Sequence, residues 1–99
     1  NTTVPTQALA VMNSPFVHDL AAQLLNRILA TKPANTAAII SKAYEFALGR
    51  LPEPHETQRM QAFIEQQTQL LGSKPDSATL AQREFCHALL CLNEFIYVD

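Results

Sequence analysis

Apolar residues along this chain recur every three or four positions, the spacing that places them on one side of an α-helix, and proline, glycine and small polar residues repeatedly interrupt them. The pattern predicts about five helices. Pro5 suits a first helical turn, and the apolar stretch after it runs through Met12 as a short opening helix. Ser14 is a candidate N-cap with Pro15 at the first helical position, and Val17, Leu20, Ala21, Leu24, Leu25 and Ile28 then form one apolar stripe. Asn35 or Thr36 caps the next helix, whose stripe is Ile40, Ala43, Tyr44 and Ala47 and whose stop is Gly49. A fourth helix starts at Pro54, carries Met60, Phe63, Ile64, Leu70 and Leu71, and stops at Gly72. Asp76 or Ser77 caps the last, with Leu80, Ala81, Phe85, Ala88, Leu89 and Leu92 as its apolar positions and an end near Asn93.

No stretch reads as a paired strand; "FIYV" near the end has strand-like composition but no partner. The expected fold is therefore all-α, a bundle or orthogonal array of helices joined by short loops. With 99 residues, residues 1–99 fit a single compact domain with no room for a second core. The apolar fraction of 47 % against 16 % charged residues is that of a chain that folds.

Charge narrows the partners. Seven Lys and Arg against nine Asp and Glu give a formal net charge of -2, and no segment gathers the basic side chains that neutralising phosphates requires, which argues against nucleic acid. No apolar run approaches the ~20 residues of a membrane span. The chain begins at Asn1 without an initiator Met, as an excised fragment of a larger protein would.

Few residues offer chemistry. "REFCH" resembles a covalent haem motif only in its Cys86-His87 pair, because Arg83 stands where the first cysteine is required. Glu84, His87 and Cys91 lie at i, i+3 and i+7 on one helical stripe and form a weak candidate metal set, which His18 or His55 would complete only if the fold brought them close. Cys86 and Cys91 are five apart on one helix and point in separated directions, which predicts two buried thiols instead of a disulfide. No nucleophile elbow or glycine-rich phosphate loop is present, since both glycines read as helix stops. Glu56 is placed to reach back over the start of its helix, with Glu53 at or near the cap position. The aromatic residues are spread over the helices as core packing requires, but Phe46 falls off its helix's stripe and suggests a second apolar face.

Three stretches, "NTTVPTQALAVMNSPFV", "YEFALGRLPEPHE" and "LLCLNEFIYVD", together resemble the C-terminal domain of unknown function DUF1553 of large planctomycete-type proteins, which often also carry a cytochrome c domain. The matching positions include Asn13, Pro15 and Phe16 at the second helix entry, Gly49, Arg50 and Pro52 in the connector, and Asn93, Glu94, Phe95, Tyr97 and Val98 at the end. Glu53 stands where the resemblance would offer Thr or Ser, and Cys91 where it would offer Asn. The resemblance implies an extracytoplasmic parent, periplasmic or secreted, concerned with electron transfer or polysaccharide, with any haem outside this fragment and any glycan ligand belonging to the parent.

These readings lead to a non-enzymatic helical docking domain without cofactor or catalytic residues, partnered by the other domains of its parent or by another protein. The apolar ending "LLCLNEFIYVD" then reads as a docked tail, folded back on the bundle after Asn93, with Glu94 capping backbone amides or pairing with Arg50. Two other readings predict different surfaces. An enzyme or electron-transfer subsite would gather Arg50, His55, Glu94 and Tyr97 in one pocket. A free-standing interaction module would expose an apolar patch of more than a few hundred Å².

Overall fold

The computed structural model describes residues 14–72 and 74–92. Within them lie four helices, α1 (Pro15–Ala30), α2 (Thr36–Leu48), α3 (Pro54–Leu71) and α4 (Ser77–Cys91), and no strand. The opening helix read after Pro5 and the docked tail after Leu92 lie outside the described residues. The fold is all-α, with four helices described instead of about five.

Helix ends follow the local chemistry of the sequence. Ser14 Oγ accepts from the Val17 amide at 3.3 Å and Asn35 Oδ1 from the Ala38 amide at 2.9 Å, so each satisfies a donor that the first turn leaves without a carbonyl. Gly49 ends α2 in the left-handed region, at φ 71°. Asp76 takes the cap position of α4, but its side chain makes no capping bond.

The helices form a ring in which each packs on its chain neighbours and α4 closes against α1, while α2 and α4 also touch across the middle. The core is built where the stripes converge. Ala21, Leu25 and Ile28 of α1 meet Ile40, Ala43 and Tyr44 of α2, Met60 and Ile64 of α3, and Ala81, Phe85, Cys86 and Leu89 of α4. Burying one such large side chain stabilises the fold by about 1.5–3 kcal/mol, so the ring holds together by its shared interior more than by helix propensity.

Two apolar positions depart from the expected stripes. Leu70 is 72 % exposed although Leu71 beside it packs against the core, because Leu71 lies seven residues after Ile64 and so shares its face, while Leu70 is turned about 100° away. Phe46 packs at the edge of the core and is covered by the Arg27 guanidinium, 4.3 Å from the ring centroid. The second apolar face suggested by Phe46 is thus partly closed by a cation lying over the ring.

Candidate functional site: the braced connector and its pocket

Residues 49–53 join α2 to α3 and carry the densest chemistry among the described residues. The left-handed turn at Gly49 reverses the chain, and Pro52 and Pro54 restrict the backbone on the far side. Arg50 then reaches across to the first turn of α3, donating from Nη1 to Glu56 Oε1 at 2.8 Å and from Nη2 to Glu56 Oε2 at 2.9 Å. Arg50 Nη1 also donates to the Leu51 carbonyl at 3.1 Å.

Glu56 serves a second purpose. Its Oε1 accepts the Glu53 amide at 2.8 Å, the backward arm of a capping box, so one carboxylate both caps α3 and anchors the connector. The Arg50 hydrogen bonds first, and the Glu53 amide second, lower its pKa from the ordinary 4.5 to about 2. Arg50 is stabilised in its charged form by the same contact and lies 5.3 Å from the Tyr44 ring centroid.

Beneath this clamp is a pocket of about 160 Å³ between α2, α3 and α4. Leu48, Met60, Leu89 and Leu92 supply its apolar lining, and Tyr44, Arg50, Glu56 and Arg59 its polar part. Burial is the main reason that the Tyr44 hydroxyl has a raised pKa; the Glu56 charge adds to the rise, and Arg50 and Arg59 oppose it.

Of the groups considered for a shared subsite, Arg50 lines this pocket, whereas His55 is exposed on the first turn of α3 and is not part of the lining. Glu94 and Tyr97 lie outside the described residues; among the described residues Arg50 is held by Glu56. Sequence reasoning did not reach Tyr44, Arg59 and Leu92 as pocket residues. Arg59 had one available signal, its position three residues after Glu56, which puts both on one side of α3.

Cys91 Sγ lies 3.7 Å from His87 Nε2, and the His18 and His87 rings stack with centroids 4.1 Å apart and planes within 8°. Nearly parallel imidazoles keep their nitrogen lone pairs in separate planes, which do not converge on a common ion. Among the described residues no group of three or more His, Cys, Asp or Glu side chains is placed to hold a metal. Both cysteines are buried free thiols, with Cys86 pushed up to about 12 by burial and Cys91 raised by burial and by the nearby Glu84 charge.

Fold and site together define a small all-α domain built around a braced interhelical connector. Residues 1–64 match the family model PSD1, described as a protein of unknown function (DUF1553), and the chain belongs to that family. The match takes in Asn13, Pro15 and the whole Gly49–Glu56 clamp, while α4 lies beyond it. No curated protein matches the chain, and no solved structure does. No described helix is long and apolar enough to cross a membrane.

Proposed function

We propose that this chain is a non-enzymatic helical docking domain of a larger extracytoplasmic bacterial protein, and that it packs through its connector against the remainder of that protein. The observation that carries the reading is Leu51. Its side chain is 65 % exposed between Arg50 and Pro52, on a loop fixed by the Gly49 turn and the Arg50–Glu56 clamp. A large apolar group presented on an ordered loop brings its contact area to a partner without a further ordering cost, which is how rigid anchor residues contribute to association.

The polar groups of the connector favour this reading over chemistry. Glu56 is committed to Arg50 and to the Glu53 amide, so neither member of the ion pair is placed as a general acid or base. The extracytoplasmic setting and the larger parent rest on the resemblance of the three sequence stretches.

Calorimetric titration of the chain into the rest of its parent tests the proposal. Micromolar or tighter binding, weakened about tenfold or more by Leu51→Asp while the melting temperature is kept, supports it. Absence of both heat and co-elution, or binding indifferent to Leu51→Asp, removes it.

A further inference from the structure

The pocket under the connector carries two polar groups that the clamp leaves unused. Arg59 makes no hydrogen bond or ion pair with another described residue, and the Tyr44 hydroxyl makes no hydrogen bond with one. Tyr44 is only 2 % exposed and lines the pocket, so a donor that burial has removed from bulk water is left to be satisfied from the pocket side. Burial first, and the Glu56 charge second, raise the pKa of that hydroxyl and keep its proton in place.

Electrostatics selects the sign of a ligand. Arg50 and Arg59 bring two positive charges to the lining and Glu56 one negative charge, so one positive charge is in excess. Arg50 is already held by both carboxylate oxygens of Glu56, which leaves Arg59 as the cation open to an anion. The Arg59 charge acts on the Tyr44 hydroxyl, opposing the rise in its pKa, so the two groups lie within electrostatic reach of each other. A planar guanidinium that donates through two arms, together with a neutral hydroxyl that donates through one, suits a carboxylate.

Volume selects the rest of the ligand. Leu48, Met60, Leu89 and Leu92 supply an apolar floor, and the pocket holds about 160 Å³. An apolar cavity of roughly 150 Å³ accommodates benzene, so this one has room for a single ring and little more.

We infer that this pocket is a binding site for a small aromatic acid, with the ring on the floor of Leu48, Met60 and Leu89 and the carboxylate bound by Arg59 and the Tyr44 hydroxyl. The site lies beneath the clamp and stands apart from the docking role of Leu51.

The test titrates benzoate into the full chain with labelled methionine methyls. A saturable ring-current displacement of the Met60 methyl is expected, with a dissociation constant of about 1 mM or tighter, the range open to so small a ligand. Acetate, which lacks the ring, and benzyl alcohol, which lacks the charge, should each bind about tenfold more weakly or worse. Arg59→Gln, a change at an exposed position, should keep the melting temperature and weaken benzoate about tenfold or more. Tyr44→Phe keeps the buried ring and should weaken benzoate about threefold or more. A Met60 methyl without a saturable shift up to ~10 mM benzoate overturns the inference. Affinity indifferent to Arg59→Gln or to Tyr44→Phe, or matched by acetate or benzyl alcohol, overturns it as well.

Discussion

Arg50 and Glu56 face each other across the turn from α2 to α3 through two nearly parallel hydrogen bonds, of 2.8 and 2.9 Å. Arg50 is half exposed, so Coulomb attraction alone contributes little to stability. What distinguishes the pair is that Glu56 also holds the Glu53 amide, tying the connector to the start of a helix. Glu56→Ala removes both the cap and the anchor, and a destabilisation of about 1–2 kcal/mol is expected in chemical denaturation. Arg50→Lys keeps the charge but not the planar two-armed geometry, so it should fall between wild type and Glu56→Ala. An Arg50→Lys midpoint equal to wild type would show that the second arm contributes nothing.

The same carboxylate predicts an acid dependence. Hydrogen bonds from Arg50, then from the Glu53 amide, lower the Glu56 pKa from 4.5 to about 2 in the folded chain. In that interval the unfolded chain binds the proton more readily than the folded one, so stability is lost as pH falls. The contribution is complete above about pH 4.5 and is withdrawn as pH falls towards 2. Melting curves of wild type and Glu56→Gln should differ most near neutral pH and converge near pH 2. A gap that stays constant over this range would assign the stabilisation to some other feature of the glutamate.

Much of the helical framework was legible because its signals are local. Ser14, Asn35 and Gly49 act within three or four residues of themselves, and the helix stripes name their own buried positions. The Glu53–Glu56 capping arm was readable for the same reason. The Arg50–Glu56 clamp was not, because it depends on the angle at which α3 leaves the connector, which periodicity does not encode. The His18–His87 stack and the Tyr44–Arg59 pocket likewise need separate helices brought together. Leu70 shows the converse limit, since adjacent leucines near a helix end match an apolar stripe equally well until the phase set by Ile64 is applied.

Thiol chemistry should separate the native chain sharply from the unfolded one. Cys86 is fully buried in the core and its ionisation is pushed up to about 12, and Cys91 is buried with its pKa raised as well. The thiolate is the reactive species, so both residues should resist a thiol reagent at pH 8 in the native state and react fully in denaturant. Labelling of native Cys86 at the rate of a small free thiol would contradict its place in the core. Cys86→Ser replaces an apolar contact by a hydroxyl without an established partner, and a loss of about 1–3 kcal/mol is expected.

Lys32 identifies a stabilising substitution. α1 closes with the Thr31 amide donating to the Ile28 carbonyl at 3.0 Å and the Lys32 amide to the Leu29 carbonyl at 2.9 Å. The Thr31 hydroxyl adds a bond to the Ile28 carbonyl at 2.6 Å. To make this ending Lys32 adopts φ 55°, the left-handed region in which a side chain is strained and which glycine commonly occupies after a helix. Lys32 is exposed, so its removal leaves no cavity. Glycine relieves the backbone strain but increases the freedom of the unfolded chain, and the first effect is the larger where φ is positive. Lys32→Gly should therefore raise stability by about 0.5–1 kcal/mol, whereas Lys32→Val, β-branched and intolerant of positive φ, should lower it. Equal midpoints for the glycine and valine variants in urea denaturation would show that the left-handed conformation at this position carries no cost.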